Sequence, residues 1–254
     1  MSGYNIAVVG ATGLVGEAII SILEERNFPV ENIVPLARAR SVGREVNYRD
    51  ERIPIVELES FDFGGMDFCF FSAGADISST FVPIATEQGA IAIDNTSAFR
   101  YEDDVPLVVP EVNADALASY TTRNIIANPN CSTIQLVVAL APIHKIARIK
   151  RINVATYQSV SGAGRQSVEL LDQQIAASLN DVDGSWEQFF AFNVVPQIDA
   201  FQENSFTKEE MKLVWETQKI LNDDDLLVNA TAVRVPVRVG HAEAVNIETE
   251  IGIT

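Results

Sequence analysis

Asn5-Ile6-Ala7-Val8-Val9-Gly10-Ala11-Thr12-Gly13-Leu14-Val15-Gly16 is the stretch that decides the fold. A short apolar run ends at Gly10, and the period then changes. Leu14, Val15, Ala18, Ile19, Ile22 and Leu23 recur at helical spacing through Glu25, which predicts a strand, a tight turn and a helix in that order. The turn reads G-x-x-G-x-x-G. Its glycines allow the backbone to approach a pyrophosphate, whose charge faces the amides at the helix start. The plainer alternative is a turn that merely needs glycine. The strand-turn-helix setting favours a dinucleotide site made of Gly10, Thr12, Gly13, Leu14, Val15 and Gly16.

Working outward, the second strand should carry the residue that reads the adenosine ribose. It ends Leu36-Ala37-Arg38-Ala39-Arg40-Ser41, with two guanidiniums and no carboxylate. Arg38, Arg40 and Ser41 therefore suit a 2′-phosphate, hence NADP rather than NAD; solvated surface charges are the competing reading. Ser72-Ala73-Gly74 follows another strand, where a loop would close over the pyrophosphate or nicotinamide. Further apolar runs lie at Ile33 to Ala37, Phe68 to Ser72, Ala90 to Asp94, Leu107 to Val109 and Ile125 to Ala127. Several are continuously apolar, as parallel strands covered on both faces are. With helical stretches such as Ile77 to Gln88 between them, they form a βαβ rhythm. Residues 1–127 are expected to be a Rossmann-like domain.

After Asn128 the pattern changes. Ser132 to Ile146 reads as a helix and Ile149 to Tyr157 as a long strand. Thr207 to Leu221 is a helix with Glu209 and Glu210 early in it. Leu227 to Val235 and the alternating Ala244 to Ile251 read as strands. Long strands without regular crossover helices predict an α+β domain over residues 128–254. The fold class is thus α/β, a nucleotide-binding domain followed by an α+β catalytic and dimerisation domain.

Lys plus Arg number 18 against 35 for Asp plus Glu, a net charge of -17. That balance repels phosphate backbones and anionic lipid, so no nucleic-acid or membrane partner is expected. An anionic small-molecule substrate would need the few cations gathered in one cleft. There is no apolar run long enough to span a bilayer and no signal-peptide pattern. Two cysteines, Cys69 and Cys131, make a disulfide framework improbable and suit a reducing cytoplasm. No metal site is expected.

Asn128-Pro129-Asn130-Cys131-Ser132-Thr133 sets a cysteine between an extended segment and a helix, which Ser132 and Thr133 can open. A thiol at a helix start is acidified by the unsatisfied amides, and the same amides can hold an oxyanion. The alternative, a small buried cysteine, is how Cys69 reads within Phe68-Cys69-Phe70-Phe71. Of the two histidines, His144 lies near the far end of the helix that Cys131 begins, about 20 Å away by helix rise. His241 follows a strand and a Val239-Gly240 turn, a placement that allows it to face a cleft.

Gly10 to Gly16, Asn95 to Arg100, Asn128 to Thr133, Tyr157-Gln158-Ser159-Val160-Ser161-Gly162-Ala163-Gly164, Glu209-Glu210-Met211-Lys212 and Arg234 to His241 together resemble the bacterial aspartate-semialdehyde dehydrogenases. The resemblance runs the whole chain in order. It implies NADPH-dependent reductive dephosphorylation of L-aspartyl 4-phosphate, in lysine, threonine and methionine biosynthesis. It also implies an inorganic phosphate site and a homodimer, sometimes a tetramer. By the same resemblance Cys131 is the nucleophile, with Asn130 close by, His241 is the acid/base, and Gln158 orients the acyl group. Arg234 would clamp the substrate α-carboxylate, and Glu209 would hold its ammonium. Arg100 and Lys212 would bind phosphate, and Ser161 and Gly162 would form a cofactor-contacting turn. Taken alone, Glu209 and Lys212, three apart on a helix, would read as a surface ion pair. N-acetyl-glutamyl-phosphate reductase, glyceraldehyde-3-phosphate dehydrogenase and a non-catalytic paralogue are the rival readings. Family members continue well past this point, so residues 1–254 are expected to be an incomplete version of the working protein.

Overall fold

The computed structural model describes residues 3–180 and 184–253. The chain divides into two compact units, Met1–Pro129 and Asn130–Thr254.

In chain order the first unit contains β1 (Tyr4–Val9), α1 (Leu14–Glu25), β2 (Val30–Ala37), β3 (Glu45–Tyr48), β4 (Glu51–Pro54), β5 (Val56–Glu57), β6 (Phe68–Phe71), α2 (Ala75–Glu87), β7 (Ile91–Asp94), α3 (Pro110–Asn113) and β8 (Ile125–Ala127). Among the described residues, six strands form one parallel sheet in the order β5-β2-β1-β6-β7-β8, with β3 and β4 as a separate antiparallel pair. β1 lies at the sheet's centre, and Ile6 to Val9 are fully buried, which is why that segment carries no polar alternation. The order reverses direction at β1. A crevice at the carboxyl ends of β1, β2 and β6 therefore falls at the topological switch point.

Leu107 to Val109, expected as a strand, makes only a single bridge from Leu107 to Ala127. Asn113 explains why it stops. Its side chain accepts from Val109 N and donates to Leu107 O, and the chain turns at Pro110 into α3.

The second unit contains α4 (Cys131–Ala147), β9 (Ile149–Gln158), α5 (Arg165–Leu179), α6 (Lys208–Leu221), β10 (Leu227–Arg234) and β11 (Ala242–Thr249). Its sheet has the order β10-β9-β11, with β10 parallel and β11 antiparallel to β9. A parallel β9–β10 pair needs a long crossover, and α5 and α6 lie within it. The expectation of strands without crossover helices is corrected on this point. Leu136 and Leu140 of α4 and Leu213 of α6 pack with Ile152 and Val154 of β9 into one core. β11 ends at Thr249 rather than Ile251, because the Glu250 amide leaves the ladder to donate to the Ala147 and Arg148 carbonyls. No described helix is long and apolar enough to cross a membrane, and no described group of His, Cys, Asp or Glu side chains could hold a metal ion.

Candidate active site

In the first unit a cleft of about 280 Å³ is lined by Gly10, Thr12, Gly13, Ala37, Arg38, Arg40, Ser41, Ser72 and Ala73. Three separate sequence segments meet there, at the ends of β1, β2 and β6. Gly10 has φ +87°, and a Cβ on it would come within 3.0 Å of the Ser72 carbonyl carbon. Gly16 lies outside the lining and acts from behind. A Cβ there would stand 2.8 Å from the Ala11 Cα, so only glycine lets α1 press against the turn. Leu14 and Val15 open α1, and Gly74 caps α2; these also lie outside the lining. The N-cap of α1 makes no side-chain hydrogen bond, which leaves helix-start amides available for phosphate oxygens. Arg38 and Arg40 are exposed at the mouth and no carboxylate lines the cleft. The residues present therefore fit the diphosphate and ribose end of a nicotinamide dinucleotide.

Arg100 also belongs to this unit. It is 5% exposed and donates to the Asn95 carbonyl at 3.0 Å. Nearby Asp94 is fully buried and accepts from Ser78 Oγ, the Thr96 amide and Thr96 Oγ1. Burial pushes its carboxyl above the usual range; these three donors and Arg100 pull the other way without cancelling it.

In the second unit Cys131 is the first residue of α4. The cap is Asn130, not Ser132 or Thr133. Asn130 Oδ1 accepts from Ser132 N at 2.9 Å, which places the thiol a residue earlier than expected, over the unsatisfied amides. Cys131 is exposed and Cys69 buried; burial drives the Cys69 thiol up to about 12. His241 Nε2 stands 3.1 Å from Cys131 Sγ. His144 sits in the last turn of α4, beside Asp223.

Behind this pair, α6 presents Glu209, which is 5% exposed. It accepts from Asn130 Nδ2 at 3.1 Å, Gln158 Nε2 at 3.1 Å and Lys212 Nζ at 2.9 Å. Burial opposes its charge, but Lys212, Gln158 and Asn130 outweigh that and hold the carboxyl below its ordinary range. Lys212, also bonded to Asp199 at 3.1 Å, is held up by the same two carboxylates against burial. The Glu209–Lys212 pair is thus buried, not the surface pair that spacing alone suggests. Gln158 closes the network, since its amide oxygen accepts from Arg234 at 3.3 Å. Arg234 donates as well to the Ser159 carbonyl at 2.9 Å and lines a cavity of about 410 Å³ with Asp199 and Val195. Gly162 lies against Arg234 and His241: a Cβ on it would come 3.1 Å from an Arg234 terminal nitrogen and 3.4 Å from His241 Cε1. Ser161 Oγ bonds Ser159 Oγ at 2.9 Å. Burial, and then Arg234, hold the His241 ring below its ordinary value, although Glu209 and the Gly240 carbonyl favour the charged form.

Three residues went unread in the sequence. Ser159 touches His241 through its backbone amide, which no pattern of residue types marks. Asp199 shares Lys212 from a loop. Glu216 is fully buried and accepts the Asn130 amide at 2.6 Å. It sits on the stripe of Glu209, Leu213 and Ile220, and a carboxylate at the apolar spacing of a helix was the available signal.

Residues 5–120 match the family model described as "Semialdehyde dehydrogenase, NAD binding domain", and residues 140–253 match "Semialdehyde dehydrogenase, dimerisation domain". The aspartate-semialdehyde dehydrogenase of Shewanella violacea is 54% identical over 249 residues, covering 97% of this chain and 74% of that protein. A crystal structure of aspartate semialdehyde dehydrogenase II from Vibrio cholerae, complexed with ASA, superposes with TM-score 0.97 at 51% identity, covering 100% of this chain and 76% of that one. The Candida albicans enzyme, solved with NADP, is more distant, at 26% identity and TM-score 0.74, with 100% and 73% coverage. With both halves of the chain matched and more than half its residues identical to a relative, the chain belongs to the aspartate-semialdehyde dehydrogenase family.

Proposed function

We propose that this chain reduces L-aspartyl 4-phosphate to L-aspartate 4-semialdehyde with release of phosphate, in amino-acid biosynthesis, by way of a thioester on Cys131. The observation that carries the reading is Cys131 at a helix start, 3.1 Å from His241 Nε2. The Cys131 sulfur attacks the acyl carbon, the carbon–oxygen bond to phosphate breaks, and the acyl group remains on sulfur. A nicotinamide, when bound, would supply a hydride to the thioester carbon, and the carbon–sulfur bond would then break to free the aldehyde and return the Cys131 thiolate. His241 holds or moves a proton at the oxygen that develops beside the sulfur. Asn130 keeps the helix start formed beneath the nucleophile. Gln158 orients the acyl group from its place between Glu209 and Arg234.

Arg234 suits the substrate carboxylate, since a guanidinium can take both oxygens. Glu209, ionised despite burial, suits the ammonium. Lys212 and Arg100 are the cations that the family resemblance assigns to phosphate. Arg38, Arg40 and Ser41 select NADP by accepting the 2′-phosphate, and Gly10, Thr12, Gly13, Leu14, Val15, Gly16, Ser72, Ala73 and Gly74 form the cradle around the diphosphate. Ser161 and Gly162 complete a turn that meets the cofactor. We assign residues 1–127 to NADP binding and 128–254 to catalysis and dimerisation, an assignment supported by the division of the chain after Pro129. The assembly is a homodimer or a tetramer built from such dimers. An exposed thiol at Cys131 suits a reducing cytoplasm, and a charge of -17 argues against nucleic-acid and anionic-membrane partners.

The deciding experiment follows NADP reduction with aspartate semialdehyde, with and without phosphate. Phosphate-dependent reduction is expected; an equal rate without phosphate, or reduction only with an N-acetylated semialdehyde, overturns the reading.

A further inference from the structure

Gln135 and Glu243 have no place in the chemistry described above, yet they stand beside the reacting pair on the same two elements. Gln135 lies one helical turn beyond Cys131 on α4, the i,i+4 spacing that puts two side chains on one face. Glu243 is the second residue of β11 and lies two residues beyond His241, the spacing that returns an extended chain to the same face. Gln135 Nε2 donates to Glu243 Oε1 at 2.6 Å. Two rungs therefore join the start of α4 to the start of β11: Cys131 with His241 at 3.1 Å, and Gln135 with Glu243 one step further in. Both residues of the second rung are partly buried. Burial raises the Glu243 carboxyl above its ordinary range and Gln135 opposes that. The bond is thus made away from bulk water, where a hydrogen bond is electrostatically stronger.

We infer that Gln135 and Glu243 are positioning residues, whose hydrogen bond pins β11 to α4 and so holds His241 within proton-transfer reach of the chemistry at Cys131. The inference rests on the reading of Cys131 and His241 as nucleophile and acid/base. β11 needs such a tie. Among the described residues it is the outer strand of its sheet, laddered only to β9. That ladder fixes its register but does not set its distance from α4, which packs on the face of the sheet. At the far end of β11 the Glu250 amide donates to the Ala147 and Arg148 carbonyls, where α4 ends. Gln135 makes the corresponding tie at the near end. The charge of the His241 ring is set by burial, Arg234, Glu209 and the Gly240 carbonyl, so the part left to Glu243 is one of position. A group that moves a proton must come within about 3.2 Å of its partner, and the separation of 3.1 Å leaves little slack.

The test is a double-mutant cycle in the intact protein, read in turnover of aspartate semialdehyde with phosphate and NADP. Misplacing a catalytic group by about 1 Å can cost on the order of a hundredfold. Gln135→Ala and Glu243→Ala are each expected to lower kcat by about tenfold or more, with KM for semialdehyde and phosphate kept within about twofold. Because each removes the same bond, the double variant should fall no more than about threefold below either single one. Exchanging donor and acceptor, in Gln135→Glu with Glu243→Gln, should return kcat to within about threefold of the unsubstituted protein. Glu243→Gln alone, which keeps an acceptor oxygen without the charge, should rescue Glu243→Ala to the same degree. Losses that multiply, losses confined to KM, or an exchanged pair no better than the double alanine variant each overturn the inference. So does an exchanged pair that recovers the thermal unfolding midpoint but not kcat, which is what packing alone predicts. If an alanine variant fails to fold, Glu243→Gln and the exchanged pair, conservative in size, carry the decision. A failure of the function itself reads differently: full turnover in Cys131→Ala removes the thioester reading, whereas unchanged kcat in both alanine variants beside an inactive Cys131→Ala overturns the positioning role alone.

Discussion

Asp94 and Glu209 are both carboxylates removed from water, 0% and 5% exposed, one in each unit, and their protons behave in opposite ways. Asp94 is surrounded by neutral donors, two hydroxyls and an amide, and burial still raises it. Glu209 has two neutral amide donors and one cation, Lys212 at 2.9 Å, and it is lowered. Hydrogen bonds satisfy a buried oxygen, but a full opposite charge at contact is what restores the ionised form. The contrast extends to the sites. The first unit's cleft is made of backbone, with close-packed glycines and helix-start amides. The second unit's site is made of charges that depend on one another.

Replacing Cys131 with alanine should separate the two regions most sharply. Turnover should fall by about 10⁴-fold or more, the loss usual when a nucleophile is removed, while NADP binding by the first unit stays unchanged in calorimetry. Weakened nucleotide binding would break the division of labour. The next largest effect is on stability. Glu209→Ala leaves Lys212 and Arg234 buried beside a lost partner and should cost about 3–5 kcal/mol in denaturant unfolding, whereas Arg38→Ala at the exposed cleft mouth should cost under about 0.5 kcal/mol. Comparable losses in both would show that the second site is no more interdependent than the first.

Cofactor choice should respond where the backbone site does use charge. The intact protein should favour NADP over NAD by about tenfold or more in kcat/KM, about 1.4 kcal/mol, and Arg38→Ala with Arg40→Ala should erase most of that. A preference that survives both changes assigns selection elsewhere.

The smallest effect sharpens the carboxylate pair itself. A lowered Glu209 adds stability above its unfolded value of about 4.5, and that stability disappears as pH falls through its folded value. A raised Asp94 works oppositely: its contribution is present at low pH and lost as pH rises. Acid should therefore loosen the second unit first. Trp186 and Trp215, the chain's two tryptophans, both lie in residues 130–254, so their fluorescence should change at a higher pH than far-ultraviolet dichroism, which reports both units. Coincident midpoints would count against the contrast.

The sequence was easiest to read where one physical demand dominates. β1 and α1 announce themselves because a buried central strand allows no polar residue and the glycines mark the turn. α5 was missed because Arg165 to Leu179 is rich in glutamine and buries only Leu171 and Gln174; with it went the crossover that makes β9 and β10 parallel. Leu107 to Val109 is apolar enough for a strand, but Asn113, four residues beyond its end, satisfies its backbone instead. In the site, the pairing of Cys131 with His241 across 110 residues was reachable because only one other histidine exists, and it lies too far along α4. The buried state of Glu209–Lys212 was not reachable, since i,i+3 spacing is the same on a wet or a dry face. Ser159 was hidden for the simplest reason: every residue except proline has the amide it uses.

Glu216 lies two turns beyond Glu209 on α6 and grips the amide of Asn130, the residue just before Cys131. One helix thus carries both the carboxylate that Asn130, Gln158 and Lys212 share and the anchor of the Asn130 amide that precedes Cys131. A rod that holds two points works as a gauge. If α6 slides or tilts, both points travel with it and their separation is kept, because two helical turns do not stretch. Thermal motion and distant substitutions that shift α6 therefore reach Asn130 and the Glu209 network as a common displacement, and the spacing between these two points is the quantity least disturbed.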